Sequence, residues 1–412
     1  MTETTTATVE AARVGRVEFT GSRHELLGII LRGYLLMIPT IGLYRFWQAT
    51  WKRRFYWQNT VIDGEPLEYT GTATQLLLGF FFALAFFLPI YIAFFILSMQ
   101  DVDYVLLGYA AIGCFVWFLA GYAIYRARDF RLSRTLWRGI RFDLKGNAWA
   151  YALRRFLWSI AMIVTLGLVY PWMASSLWRY RWRHTWYGDR KIEIAGNWRA
   201  FAAPYYGAYF LNVLTIGATI GWIGVTRDFL VVGGVIIPGP VGILLAVACV
   251  LIFAFSLALY RTRAASRMLS TVSLGEAKLT LRVGTGALFG QFVAYVLAVA
   301  GLLLVLALTA LIALGGVYAA AAARGDAPDG EALVAMFGSG SLNVVLLIFL
   351  YLIVLGAFGM LAELILSFGW WRLLAGGAEI SNPDSLRSVR ATAEDRAIVG
   401  QGLADALNVG AY

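Results

Sequence analysis

Two stretches of this chain interleave large aromatic residues with cations. In the first, Trp47, Trp51, Phe55, Tyr56 and Trp57 mix with Lys52, Arg53 and Arg54. In the second, Trp172, Trp178, Tyr180, Trp182, Trp186 and Tyr187 mix with Arg179, Arg181 and Arg183. Indole and phenol rings favour the headgroup level of a bilayer, and cations there attract anionic lipid. Two readings fit these residue types. One is ordinary anchoring at the membrane surface. The other is a dedicated contact for a lipid headgroup or a partner protein, made by Trp47, Trp51, Lys52, Arg53, Arg54 and Trp57 with Trp172, Trp178, Arg179, Arg181, Trp182 and Arg183. Nucleic acids are bound by similar residues, but tethering to a membrane argues against such a partner.

A second group consists of polar residues inside apolar runs: Arg32, Asn212, Gln291 and Glu363. An ionisable group in a membrane helix is a functional candidate by default. Glu363 also fits a helix-end carboxylate at the interface, with Arg372 beyond it, and Arg32 also fits a snorkelling cation. Signals for catalysis are weak. His24 and His184 are not at metal-ligand spacing. Cys114 and Cys249 both lie in apolar runs and read as small buried residues, not as a disulfide or metal pair. The stretch Gly284-Thr285-Gly286-Ala287-Leu288-Phe289-Gly290 lacks dinucleotide-loop spacing and opens into a membrane helix, where tight packing explains it better. The expectation is a non-enzymatic protein with no catalytic residues, no cofactor and no metal.

The elements that carry these residues are membrane helices. The chain is 60% hydrophobic and 14% charged, against about 25% charged residues in soluble domains. Residues 76–98, 104–125, 201–225, 241–260, 288–317 and 342–366 each reach the ~20 residues needed to span hydrocarbon. The first residues, 1–16, are polar and Thr-rich without a signal-peptide core, and read as a disordered arm.

The sequence also repeats itself. With Val17 set on Phe142 and no gap allowed, Gly21 falls on Gly146, Thr40 on Thr165 and Gly42 on Gly167. Trp47 then falls on Trp172, Arg54 on Arg179, Trp57 on Trp182 and Glu68 on Glu193. Such matches in Gly, Trp and Arg indicate a duplicated unit. The expected organisation is an arm over 1–16, membrane repeats over 17–141 and 142–277, an incomplete third over 278–375, and a polar tail over 376–412. In that tail Ile398, Val399, Leu403 and Leu407 form a weak apolar stripe.

Short alternating segments ending in glycine precede the helices. They run over 17–21, 67–71, 142–146, 192–196 and 279–284, and read as strands. An open strand is too costly inside lipid, so these belong outside it, either paired into a small sheet or as isolated connectors. Cations cluster beside them, at 45–54, 126–138, 179–191 and 261–278. The positive-inside rule places these clusters, with both termini, in the cytoplasm. The loops 100–103, 226–240 and 318–341 are poor in cations and read as external.

Two apolar segments conflict with that arrangement, because both of their flanks are of the cytoplasmic type. These segments, 26–43 and 148–170, are short, carry arginine, and break at Pro39-Thr40-Ile41-Gly42 and Thr165-Leu166-Gly167. The expected fold is therefore an all-α polytopic membrane protein, internally repeated. It has six full transmembrane helices, two short re-entrant or interfacial hairpins, and short β-strands on the cytoplasmic face. Eight transmembrane helices is the alternative.

The motif order resembles the YjgN-type family of bacterial inner-membrane proteins, a group defined by a domain of unknown function. The resemblance rests on Phe19-Thr20-Gly21-Ser22, Glu25-Leu26-Leu27-Gly28 and Thr40-Ile41-Gly42-Leu43-Tyr44-Arg45-Phe46-Trp47. Asp63-Gly64, Tyr69-Thr70-Gly71-Thr72 and, in the second copy, Pro171-Trp172 and Ala195-Gly196 extend it. The third copy has no Gly-Leu-Tyr-x-x-Trp element. The resemblance implies a multipass inner-membrane location, and brings neither catalytic residues nor a substrate. Two functions remain open: binding or transport of a small or lipidic ligand, and a scaffold that docks a membrane-protein partner. Membrane lipids, anionic ones above all, are the expected contacts.

Overall fold

The computed structural model describes residues 13–99, 102–226, 228–232, 235–323 and 341–391. Most of the arm, the centres of the loops at 100–103 and 318–341, and the stripe of Ile398, Val399, Leu403 and Leu407 lie outside the described residues.

The protein is mostly helical. Among the described residues, six helices are long and apolar enough to cross a membrane: Ala73–Ile96, Val105–Ser133, Arg199–Thr226, Pro240–Leu269, Thr285–Gly316 and Ile348–Gly376. They coincide with the six apolar runs of the sequence. The two short segments form helical hairpins, α1 (Arg23–Met37) with α2 (Arg45–Gln58), and α5 (Ala148–Val164) with α6 (Tyr170–Arg183). The longer helices are α3 (Ala73–Leu97), α4 (Val102–Ser133), α7 (Arg199–Thr226), α8 (Pro240–Leu269) and α9 (Thr285–Ala322). The last crossing consists of α10 (Ser341–Leu361), a π-helical turn (Ala362–Ser367) and α11 (Phe368–Gly376).

Local sequence explains where these helices start and stop. The Ser22 hydroxyl accepts from the Glu25 amide, and the Asn147 carboxamide accepts from the Trp149 and Ala150 amides. Each cap satisfies donors that have no partner inside the helix. Both hairpin helices end alike. The Gly42 amide reaches back to the Met37 carbonyl and the Gly167 amide to the Met162 carbonyl, both at 2.8 Å. Ile41 and Gly42 have φ of 49° and 80°, and Leu166 and Gly167 have 50° and 92°. This six-to-one bond is a Schellman closure, and its left-handed backbone favours glycine.

The strands pair. β1 (Val14–Phe19), β2 (Thr60–Ile62), β3 (Glu65–Tyr69), β4 (Thr135–Trp137), β5 (Ile140–Leu144) and β6 (Thr185–Tyr187) run in ladder order, each antiparallel to the next. β7 (Arg190–Lys191) follows β6, while β8 (Glu193–Ile194) pairs with β11 (Val272–Leu274) at the other end. Between them β12 (Ala277–Leu281) and β13 (Ala378–Ser381) lead back to β1. A separate hairpin of β9 (Phe229–Val232) and β10 (Val235–Pro238) lies in the 226–240 loop.

The eleven-stranded sheet closes on itself. Its terminal strands β7 and β8 are separated only by Ile192, whose amide donates to the Thr185 carbonyl at 3.0 Å. One stretch of chain therefore pairs with β6 through its first half and with β11 through its second. β1 does the same, with Val14 opposite Ser381 on one side and Phe19 opposite Thr60 on the other. The ladder thus returns to the stretch of chain where it began, and the strands form a ring. The strands foreseen from alternation end where their Thr-Gly or similar exit begins. Their three-residue partners β2, β4, β6 and β11 escaped notice because three residues are too few for alternation to register.

The ring has its own apolar filling. Trp137, Tyr187, Ala277, Leu386 and Val389 form a buried cluster. Leu386 belongs to a 3₁₀ helix, Pro383–Ser388, so the segment after β13 folds against the ring. Other clusters lie where helices meet strands. Leu26, Ile30, Phe55, Tyr56 and Phe368 form one, and Tyr125, Leu144, Ala148, Tyr151 and Leu177 another. Burying a Leu or Ile contributes about 1.5–3 kcal/mol. By contrast, only 0–17% of each spanning window is buried inside the protein. The packed part of the molecule is the ring and the helix roots.

Candidate functional site

α2 carries the first aromatic–basic stretch, and its side chains point into the junction of ring and helices. Lys52 Nζ lies 3.2 Å from Glu363 Oε2, and the Tyr56 hydroxyl donates to Glu363 Oε1 at 3.0 Å. Glu363 is buried and sits in the π-helical turn. Such turns occur often at functional positions, and a buried carboxylate needs partners of this kind. The two Glu363 contacts join residues 311 and 307 positions apart.

The indoles of this junction tie helices to strands. Trp57 Nε1 donates to Thr135 Oγ1 at 2.8 Å, and Trp371 Nε1 donates to Thr60 Oγ1 at 2.9 Å. The two rings lie 5.4 Å apart. Arg53 donates to the Tyr69 hydroxyl at 3.1 Å. Arg54 donates to the Gly71 carbonyl at 3.3 Å and covers the Trp51 ring. Trp47 stacks on Tyr44. Of the first stretch, Trp51 is the aromatic left open, 49% exposed. Most of the remaining side chains that looked like an external contact are built into the fold.

The second stretch is used differently. Trp178 is buried with Ile192 and Val272. The Arg128 guanidinium sits 4.9 Å from the centre of the Trp182 ring. Arg179 and Arg181 are half-buried and Arg183 is exposed. Trp172 stacks on Trp198 at 4.5 Å and remains 37% exposed. The two stretches, aligned in sequence, therefore do not form one composite surface.

The intramembrane polar residues are dispersed. Asn212 donates to Ser256 at 2.6 Å, joining α7 to α8. Gln291 lies against Gly369, where a Cβ would meet its carboxamide at 2.5 Å. Arg32 is exposed on α1. His184 contacts its own helix at the Tyr180 carbonyl, and His24 is exposed. Among the described residues no group of His, Cys, Asp or Glu is placed to hold a metal ion.

Two constellations went unrecognised in the sequence. Asp63, at the β2–β3 turn, accepts from Arg13 at 3.1 Å and Arg138 at 3.0 Å, linking three points of the ring. Asp63-Gly64 is visible as a turn signal, but its cationic partners are not. The hydroxyls of Tyr205, Tyr206 and Tyr209 donate to the carbonyls of Gly167, Leu168 and Leu166. Their spacing on one helix face was the available clue.

A family model described as "Bacterial protein of unknown function (DUF898)" matches residues 14–406. The chain belongs to the DUF898 family. This is the YjgN-type family that the motifs resemble. No curated protein matches the chain, and no solved structure does. The DUF898 match opens on Val14, the first residue of β1, and extends past β13. It therefore takes in every strand of the closed ring, including the two that join the beginning of the chain to its far end.

Proposed function

We propose that this protein is a non-enzymatic, multipass protein of the bacterial inner membrane that serves as a docking platform for another membrane protein. The ring faces the cytoplasm, and the two short hairpins enter the adjacent leaflet and turn back. The cation clusters on the ring side support this orientation. The matching Schellman closures at Gly42 and Gly167 support a duplicated construction. The observation that carries the platform reading is the distribution of packing. Core clusters gather at the ring and helix roots, while the spanning windows are at most 17% buried. Transporters enclose their substrate near mid-depth between packed helices. Here the spans leave long apolar faces for lipid or for a partner's helices.

The test is site-specific photo-crosslinking in cells at the two open indole positions, Trp51 and Trp172, followed by mild solubilisation. The expected result is one discrete crosslinked membrane protein. Its co-purification should be lost in a Trp51→Ala, Trp172→Ala variant that still inserts. Recovery of only this chain and lipid, with an unchanged particle mass, would reject the platform.

The alternative, binding of a small or lipidic ligand, is favoured by one observation: clefts with charged walls sit where the helices enter the ring.

A further inference from the structure

A cleft of about 430 Å³ lies at the seam between the first and last helices of the chain. That size falls within the ~300–1,000 Å³ usual for ligand sites. Three arginines line it: Arg23 at the start of α1, Arg282 between β12 and α9, and Arg372 in α11. No carboxylate stands among its lining residues. A neighbouring cleft that shares Arg372 is balanced, with Arg16 and Arg372 against Glu18 and Glu379. Of these two clefts, the first carries the excess positive charge. Arg23 is held by its contact with the Phe368 ring, 5.5 Å from its guanidinium. Arg282 is fixed through its backbone, whose amide donates to the Gly377 carbonyl at 2.8 Å.

The depth of the cleft adds a second constraint. Gln291 lines it from the second turn of α9, inside the apolar span Thr285–Gly316. Its buried Oε1 has no hydrogen-bond partner. Buried polar atoms are normally paired, so this acceptor is open to a donor on a ligand, such as a glycerol hydroxyl or a protonated phosphate oxygen. Gly369 lets the carboxamide lie flat against α11. The cleft is therefore cationic at the level of the ring and polar one step further into the membrane.

We infer that this cleft binds a phosphate-type anion that also carries a hydroxyl, through Arg23, Arg282 and Arg372, with Gln291 Oε1 accepting from that hydroxyl. Guanidinium groups suit phosphate because they offer paired donors in a planar fork. A phospholipid headgroup and a free phosphate share this chemistry. The site is separate from the aromatic–basic stretches and does not depend on the platform reading.

The experiment uses the full chain, purified in neutral detergent and washed free of endogenous anionic lipid. Separate arms receive phosphatidylglycerol, phosphatidylcholine and inorganic phosphate. Native mass spectrometry reads lipid binding, and phosphorus NMR line broadening reads phosphate. Phosphatidylglycerol should bind in preference to phosphatidylcholine. An Arg282→Gln, Arg372→Gln variant should bind about tenfold more weakly, the effect of losing about 1.4 kcal/mol. Arg282→Lys with Arg372→Lys should bind more weakly than wild type but better than the Gln variant, and Lys278→Gln, on the ring surface, should change nothing. Gln291→Glu places a like charge against the anion and should reduce binding without altering the cations. If the double variant does not fold, Arg372→Gln alone serves, since that side chain is exposed. Binding confined to the inorganic phosphate arm, and lost in the same variants, supports the site with a free anion as its ligand. Equal binding of all three probes by wild type and variants would overturn the inference.

Discussion

The Tyr205 hydroxyl donates to the Gly167 carbonyl at 2.8 Å, closing the turn of the second hairpin from a neighbouring helix. Tyr206 and Tyr209 do the same for Leu168 and Leu166, at 2.8 Å and 2.9 Å. A break in a helix leaves carbonyls without partners, and in hydrocarbon no water replaces them. Three phenols from α7 donate to the turn's carbonyls, of which Gly167 also accepts from the Tyr170 amide. This is the arrangement that a hairpin turning inside a leaflet requires.

Replacing these tyrosines by phenylalanine keeps the rings and removes only the donors. Interhelical hydrogen bonds in membranes contribute about 0.6 kcal/mol on average, up to about 1.7. The triple Tyr205→Phe, Tyr206→Phe, Tyr209→Phe variant should lose roughly 2–5 kcal/mol on that scale. Unfolding in a denaturing detergent checks the loss. Tyr122→Phe, outside this set, is the control; an equal effect there would remove the special role of the turn.

The orientation is tested by cysteine labelling in a background without Cys114 and Cys249. Probes at Asn59 and His184 flank ring strands and should be protected from an impermeant reagent in intact cells. Probes at Asp101 or Asp326 should react. Labelling of Asn59 from outside would mean that the first hairpin spans the bilayer, and would restore the count of eight.

Lys52 and Glu363 should show strong coupling. Removing one partner of a fully buried ion pair leaves an uncompensated charge and costs about 3–5 kcal/mol; here Glu363 is buried but the Lys52 side chain is 25% exposed, so the cost falls below that range. Lys52→Met alone should still destabilise measurably. Lys52→Met combined with Glu363→Gln should recover much of that loss. A double-mutant cycle on thermal stability reads the coupling, and additive effects would show that the pair is not held as described.

Alkaline pH should loosen the ring through Tyr187. Its hydroxyl donates to the Trp137 carbonyl at 3.0 Å. Burial pushes the phenol up to about 12 from its ordinary 10, with Arg138 opposing the shift. A folded-state value above the unfolded one stabilises the fold fully below pH 10, and that contribution is lost as pH rises towards 12. Tyr187→Phe should be less stable at neutral pH and flatter across this window. Near-ultraviolet circular dichroism during a pH titration would show it.

Much of the architecture was legible in the residues alone. Apolar runs of sufficient length gave the six spanning helices, because length and hydropathy are local properties. The hairpin breaks at Gly42 and Gly167 were legible for a similar reason. A left-handed turn needs specific residues at fixed positions, and the same Thr-x-Gly spacing stands at both turns, in Thr40–Gly42 and Thr165–Gly167. Alternation located one strand of each ring turn.

The ring and the candidate sites were decided by tertiary structure. Strands of three residues, such as Thr60–Ile62 and Thr185–Tyr187, have no periodicity of their own and exist only through their neighbours' hydrogen bonds. The seam needs β13 beside β1, and nothing local in either segment encodes the other. Residues that looked alike in two copies also met different surroundings. Trp57 donates to Thr135, whereas its counterpart Trp182 carries the Arg128 guanidinium on its ring. Residue type sets what a side chain is able to bind, but its partner is set by which distant segment the closed ring brings within a few ångströms.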